Sequence, residues 1–290
     1  MAVVLPGTAS TGEFLLRAFG PALAALGIGL VGGDGARDGD LDARMAELDE
    51  AVEEFRPVLV GGVSIGAHVA ARWASGRLAA SDGCGPAAER RPGSRDGCRP
   101  GSQGGYRPGP ADGYRPGLAD EGRPGPANGR GPGAPDGYRP EGLLLAMPAW
   151  TGAPGPVAAA SAVAADEVAR DGVAAALRRI RAAAAPESRW VVEELAAAWP
   201  AYSDRELAAT LRATAAAAGP SADELGAVGV PCGVAVLRDD ALHPAAVGRA
   251  WAEALPRAAV VETGLAAVGA DRATLGRAAA LAWLRARAAP

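Results

Sequence analysis

Short apolar segments alternate with longer segments of helical periodicity along most of this chain. Residues 2–5 read AVVL and end at a Pro-Gly pair, and residues 13–26 then carry a helical pattern closed by Gly27. A second apolar segment at 28–31 precedes apolar positions spaced by four, three, four and three residues, namely Leu41, Met45, Leu48, Val52 and Phe55. Such spacing places these side chains on one face of a helix, for which Asp40 is an available N-cap.

The same alternation continues to the end of the sequence. Apolar strands are predicted at 57–60, 142–147, 233–237 and 258–262, and helical patterns run through about residue 78 and over 244–255 and 272–287. Six strands alternating with helices predict an α/β fold class, with a mostly parallel six-stranded sheet and helices on both faces. Residues 151–228 hold several alanine-rich helical stretches and no convincing strand, which predicts a helical insertion.

Residues 81–140 interrupt this order. Nearly half of them are glycine or proline, and a short unit recurs as GYRPG at 105–109 and 113–117 and as GYRPE at 137–141. A segment with so few aliphatic residues cannot bury enough surface to offset its ordering entropy, so we predict a disordered low-complexity insert. The domain organisation expected is one folded domain made of 1–80 and 141–290, with the insert at 81–140.

Composition narrows the function classes. The chain is 49% hydrophobic and 21% charged, and it has no uninterrupted apolar run long enough to span a membrane. It begins without a basic region or cleavage pattern typical of a secretory signal, which predicts a soluble, cytoplasmic protein. A net charge of −4 does not favour nucleic acid as a partner. Cys84 and Cys98 lack the spacing of a zinc site or disulfide framework, and no metal or organic cofactor is expected.

One segment carries a pattern typical of nucleophilic catalysis, GVSIG at 62–66. The pattern alone arises readily by chance in a glycine-rich chain, but here an apolar strand precedes it and a helix follows it. In such a turn, glycines give clearance to a strained serine whose hydroxyl is exposed at the carboxyl edge of the sheet. We therefore predict that Ser64 is a nucleophile and that the Ile65 N–H stabilises an oxyanion. The alternative is a glycine-rich turn with an incidental serine.

These features resemble the α/β-hydrolase family, and the resemblance covers essentially the whole chain outside 81–140. In that family a glycine loop after an early strand supplies a second oxyanion donor, and LPGTAST at 5–11 implies Thr8 for this role. The family's acid follows the penultimate strand, where LRDD at 237–240 implies Asp240, with Asp239 as an alternative. The helical insertion, at about 151–228, corresponds to the family's cap over the substrate pocket.

The catalytic base is the point at which this sequence departs from the family. Members carry a histidine in the loop after the last strand, whereas residues 263–271 read TGLAAVGAD. Only His68 and His243 are available. His68 lies one helical turn after Ser64, a position expected in the core. His243 follows Asp240 by three residues at the correct edge of the sheet, and it is the candidate base, although a His-Pro helix start is commonly structural.

The leading hypothesis is therefore a serine hydrolase that acts on a small ester or thioester with an apolar acyl group. The alternative is a catalytically impaired binding or interaction protein that keeps the fold and lacks the triad histidine. A third hypothesis makes the Arg/Tyr repeats of the insert the functional part and the folded domain their carrier. The three differ in whether Ser64, the folded surface or the insert carries the function.

Overall fold

The sheet and its helices follow the predicted order. The computed structural model describes residues 1–33, 41–81 and 138–289. In chain order the elements are β1 (Ala2–Leu5), α1 (Gly12–Ala24), β2 (Leu30–Gly32), α2 (Leu41–Phe55), β3 (Leu59–Val63), α3 (Ile65–Ser81), β4 (Gly142–Ala146), α4 (Pro156–Asp171), α5 (Val173–Ala183), α6 (Arg189–Ala198), α7 (Asp204–Ala216), α8 (Ala222–Gly226), β5 (Cys232–Leu237), α9 (Ala245–Ala254), β6 (Ala258–Thr263), α10 (Leu265–Ala270) and α11 (Ala273–Ala288).

The six strands form one sheet in the order β2-β1-β3-β4-β5-β6, and every neighbouring pair is parallel. Leu5 pairs with Gly62, and Gly62 in turn pairs with Leu145 on β4. Because all strands run the same way, their carboxyl ends meet at one edge, where ligands bind in open α/β sheets. The predicted α/β class with a parallel six-stranded sheet is confirmed.

Alternate strand residues pack into two separate cores, one on each face of the sheet. On β1, Val3 and Leu5 join the core under α2, α3, α8 and α9, whereas Ala2 and Val4 join the core under α1, α10 and α11. The other inner strands divide in the same manner, and their side chains are almost fully buried. This division follows from the period of two along a strand. Helices therefore cover both faces, as predicted.

The predicted helical insertion between β4 and β5 is confirmed, since residues 151–228 contain α4 to α8 and no strand. We call α4 to α7 the cap. Trp199, Leu207 and Leu211 lie in a cap core built largely of alanine and leucine. Helix α8 belongs instead to the sheet layer, because Leu225 is buried in the core under α3 and α9. The cap therefore ends earlier than the sequence pattern indicates.

Helix α6 fastens the cap to the sheet layer. Trp190 stacks on Phe14 of α1 with ring centroids 6.3 Å apart. Glu194 accepts hydrogen bonds from Arg17 at 2.6 Å and from Arg272 at 2.9 Å, so one carboxylate joins α6 to α1 and to the start of α11. The Arg272 guanidinium also lies 4.7 Å from the centre of the Trp190 ring. This end of the cap is therefore held by both apolar and ionic contacts.

Three details differ from the sequence predictions or lie outside the described residues. The loop predicted at 263–271 contains helix α10, because the Asp239 carboxylate accepts the Leu265 N–H at 2.8 Å and Leu265 is buried. Strand β3 begins and ends later than the predicted 57–60 and runs to Val63. Residue 40, the predicted N-cap of α2, and nearly all of the predicted disordered segment, with its two cysteines, lie outside the described residues. No helix in the described part of the chain is long and apolar enough to cross a membrane.

Candidate active site

Ser64 lies at a strained turn between β3 and α3. Its φ is +55°, a left-handed conformation that residues other than glycine rarely adopt. The Ser64 N–H donates to the Ala146 carbonyl on β4 at 2.9 Å. The Ser64 carbonyl accepts a hydrogen bond from the Ala67 N–H in the first turn of α3. The backbone is therefore held on both sides of the strained residue, which keeps its side chain at the carboxyl edge of the sheet.

The two glycines that flank Ser64 are required by close backbone packing. A Cβ on Gly62 would lie 2.1 Å from the carbonyl carbon of Gly66. A Cβ on Gly66 would lie 2.5 Å from the Leu5 carbonyl oxygen and 2.7 Å from that of Pro6. These separations are far below van der Waals contact, so the predicted clearance at Gly62 and Gly66 is confirmed. The turn has the form of a nucleophile elbow.

His243 and Asp240 lie beside the Ser64 hydroxyl. The His243 Nε2 atom is 2.9 Å from Ser64 Oγ, and its Nδ1 atom is 3.0 Å from Asp240 Oδ2. The other carboxylate oxygen of Asp240 accepts the backbone N–H of Leu242 at 2.8 Å and that of His243 at 3.2 Å. The loop after β5 thus presents a carboxylate and an imidazole in a rigid arrangement, reaching past β4 to the end of β3.

The electrostatic surroundings of Asp240 favour its ionised form beside His243. Burial alone would raise the pKa of Asp240, but the hydrogen bonds and charge of His243 and the Leu242 N–H outweigh it, so this pKa lies below its ordinary value. An ionised Asp240 carboxylate accepts a hydrogen bond from a protonated His243 Nδ1. The lone pair on His243 Nε2 is then free to accept the Ser64 hydroxyl proton. The order carboxylate, imidazole, hydroxyl is the order that nucleophilic activation requires.

The alternative acid and the alternative base are both engaged elsewhere. Asp239 points to the N-terminus of α10, where it accepts the Leu265 N–H. His68 is fully buried, and its Nε2 accepts the N–H groups of Ala149 at 3.2 Å and Trp150 at 3.3 Å. Burial, reinforced by the charges of His243 and Arg72, lowers the pKa of His68 to about 3. His68 therefore holds the loop after β4 as a neutral core residue, as expected from its position.

The loop between β1 and α1 lies against the turn that carries Ser64. A Cβ on Gly7 would lie 3.6 Å from the Ser64 Cβ. The Thr8 hydroxyl is 3.0 Å from the hydroxyl of Thr214 on α7, so the loop also contacts the cap. Ile65 is the first residue of α3, where a backbone N–H has no carbonyl one turn earlier in the same helix to bind. The oxyanion roles of the Thr8 and Ile65 N–H groups remain predictions.

Arg44 is a residue near the site that sequence reasoning missed. Its side chain on α2 is only 3% exposed, and its Nη1 donates to the Pro6 carbonyl at 3.0 Å. A signal was present in the sequence, because Arg44 precedes Leu48 and Val52 by steps of four and so lies on the apolar face of α2. Within the described residues, no group of three or more metal-ligating side chains lies together.

Comparison with known proteins identifies the fold. No family model matches the sequence, and no curated protein matches it. Solved structures do match. A bromoperoxidase from Bacillus anthracis is 16% identical with a TM-score of 0.61, and the match covers 98% of this chain and 91% of that one. An esterase from Thermogutta terrifontis is 15% identical with a TM-score of 0.58, and the match covers 99% and 90%.

An enol-lactonase from Burkholderia xenovorans LB400 is 13% identical with a TM-score of 0.52, covering 90% of this chain and 82% of that one. These structures and the parallel six-stranded sheet together define an α/β-hydrolase fold. Identities this low establish the fold and leave the activity to be argued from the site.

Proposed function

We propose that this protein is a serine hydrolase that cleaves a small ester or thioester with an apolar acyl group. In this proposal Ser64 is the nucleophile, His243 the general base and Asp240 the acid that orients it. The Thr8 and Ile65 N–H groups form the oxyanion hole. The observation that carries the proposal is the continuous chain from Asp240 through His243 to the Ser64 hydroxyl, with distances of 3.0 and 2.9 Å.

The proposed reaction proceeds in two halves. Ser64 Oγ attacks the substrate carbonyl carbon while its proton passes to His243 Nε2, and Asp240 stabilises the resulting imidazolium. The oxyanion formed on the carbonyl oxygen accepts the two backbone N–H groups. Collapse of this intermediate releases the alcohol or thiol, which takes the proton from His243, and leaves an acyl group on Ser64. Water, deprotonated by His243, then attacks the acyl-enzyme, releases the carboxylic acid and restores the serine.

The position of His243 bears on the alternative of an impaired enzyme. That alternative depends on the missing histidine after β6, but a triad needs a base within hydrogen-bond reach of the serine and places no condition on which loop supplies it. Here the loop after β5 offers both acid and base. The 2.9 Å separation favours the enzyme over the binding protein.

The preference for an apolar acyl group is supported by the side chains around the elbow. Ile65, Ala149, Trp150 and Ala158 form a buried cluster at the start of α3, the loop after β4 and the first turn of α4. None of these side chains carries a charge, so this side of the site offers nothing to neutralise a charged acyl group. A short aliphatic acyl chain fits that environment better than a charged one.

Labelling with a fluorophosphonate tests the proposal. The probe phosphonylates an activated serine with loss of fluoride, so the wild-type protein should be labelled and the Ser64→Ala variant should not. Ser75→Ala is the matched control, since Ser75 lies on the same helix and its hydroxyl donates to the Arg72 carbonyl. That control should be labelled like the wild type.

Hydrolysis of p-nitrophenyl butyrate then tests the base. His243→Ala should lower kcat by about 10³-fold or more, as expected for loss of a triad member. A folded wild-type protein without Ser64-dependent labelling would refute the hydrolase and favour a binding protein. Normal turnover in the His243→Ala variant would instead remove His243 from the mechanism.

A further inference from the structure

We infer that Arg44 is a positioning residue for the oxyanion hole, acting through the Pro6 carbonyl; this inference rests on the proposed hydrolase function. Arg44 is a buried arginine on α2, and its guanidinium donates to a backbone carbonyl two residues before Thr8. Placing a guanidinium in the interior is unfavourable unless its hydrogen bonds compensate, so this position needs a reason. Holding the loop that carries Thr8 supplies one.

The loop needs such a restraint because its central residue is glycine. Gly7 permits a wide range of φ and ψ values, since it has no Cβ to limit them. The loop passes close to Ser64, since a Cβ on Gly7 would lie at ordinary van der Waals distance, 3.6 Å, from the Ser64 Cβ. The glycine that is present leaves the loop backbone without the steric restraint of a side chain. Hydrogen bonds to the peptide groups on either side of Gly7 supply a restraint in its place.

Two such hydrogen bonds are present. Arg44 binds the carbonyl of the Pro6–Gly7 peptide at 3.0 Å, and the Ser10 N–H binds the carbonyl of the Gly7–Thr8 peptide at 3.3 Å. A peptide group is planar, so fixing its carbonyl also fixes the direction of its N–H. The Gly7 carbonyl and the Thr8 N–H belong to one peptide and point in opposite directions. The hydrogen bond from Ser10 therefore fixes the direction of the Thr8 N–H. The hydrogen bond from Arg44 fixes the plane of the preceding peptide group, Pro6–Gly7, to which the Gly7–Thr8 peptide is joined.

The packing around Pro6 leaves little freedom for a replacement contact. The start of α3 approaches the same peptide from another side, because a Cβ on Gly66 would lie 2.7 Å from the Pro6 oxygen. Proline also holds its own φ near −65°. Arg44 therefore supplies the remaining constraint on a peptide already confined by α3 and by the proline ring.

The test compares Arg44→Met and Arg44→Lys with the wild type, using p-nitrophenyl butyrate and an alkyl trifluoromethyl ketone. The ketone adds to the serine hydroxyl and places an oxyanion in the hole, so its inhibition constant reports the oxyanion contacts. We expect Arg44→Met to lower kcat roughly 10- to 100-fold with KM within about twofold, less than complete loss of one oxyanion donor. The inhibition constant of the ketone should rise by the same factor. For Arg44→Lys, kcat and the inhibition constant should lie between those of the wild type and those of Arg44→Met.

Arg272→Met is the matched control. Arg272 is also partly buried and donates to backbone carbonyls, those of Val268 and Gly269 on α10, and its ion pair with Glu194 joins it to α6. Its loss should lower Tm and leave kcat and the inhibition constant near those of the wild type. A purely structural role for Arg44 would give that same pattern, with Tm lowered and both constants unchanged in the folded variant.

The outcomes separate this inference from the proposed function. Unchanged kcat and inhibition constant in folded Arg44→Met, in a protein whose Ser64 is labelled, would overturn the positioning role alone. If Arg44→Met does not fold, Arg44→Lys decides, because unaltered constants there would equally overturn it. Absence of labelling in the wild type would overturn the proposed function and this inference together.

Discussion

The pH dependence of folding provides a test of the buried histidine. His68 accepts two backbone N–H groups at Nε2, so this nitrogen carries no proton in the folded protein. Its pKa is lowered from 6.5 to about 3, first by burial and then by the charges of His243 and Arg72. In the unfolded chain the same imidazole takes up a proton near pH 6.5. Between these two values the unfolded state binds more protons than the folded state.

The sign and size of the effect follow from this difference. Above pH 6.5 the imidazole of His68 is neutral in both the folded and the unfolded state, so its titration does not lower the free energy of unfolding there. As pH falls from 6.5 to 3, the unfolded state is progressively favoured by about 1.4 kcal/mol per pH unit, which amounts to about 5 kcal/mol over the whole interval. This is a large part of the stability of an ordinary domain.

The variant His68→Gln should remove this dependence. The glutamine carbonyl oxygen offers an acceptor for the Ala149 and Trp150 N–H groups and takes up no proton in this range. Urea unfolding at pH 7, 6, 5 and 4, followed by tryptophan fluorescence, gives the free energy of unfolding at each pH. We expect the free energy of unfolding of the variant to change less steeply between pH 6 and 4 than that of the wild type. The difference in slope should correspond to the uptake of about one proton on unfolding.

His243→Gln is the matched control, because it removes the other histidine and leaves His68 in place. Burial, the largest cause of the low His68 pKa, is unchanged in this variant, so it should keep most of the steep wild-type slope. The comparison uses slopes, so a general loss of stability in His68→Gln does not disturb it. Equal slopes in His68→Gln and the wild type would refute the reasoning that a neutral, buried His68 links folding to pH.

Four further substitutions test individual contacts. Gly66→Ala should lower the free energy of unfolding by about 3 kcal/mol or prevent folding, since its Cβ would lie 2.5 Å from the Leu5 oxygen; urea unfolding measures this, and wild-type stability would contradict the packing. Asp240→Asn should lower kcat for p-nitrophenyl butyrate roughly 10⁴-fold without unfolding. Glu194→Gln should lower stability by about 1–2 kcal/mol, because Arg17 and Arg272 share its carboxylate. Tyr138→Phe should cost about 1 kcal/mol by removing the hydrogen bond to the Pro57 carbonyl, and no change in urea unfolding would contradict that contact.

The strands and the tight turn at Ser64 could be predicted because their signals are local. Short apolar runs bounded by glycine and proline fix the strands, and GVSIG between a strand and a helix has few other structural solutions. Asp240 and His243 could be placed at the correct edge of the sheet by counting from β5. Their distance to Ser64 could not be predicted, since it depends on the separation of β5 from β3 and on the turn at Leu242.

The features missed are those set by contacts between distant segments. Helix α10 lies where a loop was predicted, because Asp239 on one loop caps a helix on the next. Arg44 is separated by 38 residues from the carbonyl it binds, and periodicity indicates only that it lies on an apolar face. No local pattern shows which partner such a buried arginine will find.

The placement of the proposed acid and base on one loop has a consequence for inheritance. Asp240 and His243 are three residues apart, so a single small deletion or insertion after β5 would remove both, and a single transferred segment would supply both. In this proposal the loop after β6 carries no catalytic residue, and most of it forms helix α10. Sequences of this fold that lack a histidine near the carboxyl end deserve a search for Asp-x-x-His after the penultimate strand before they are set aside as inactive.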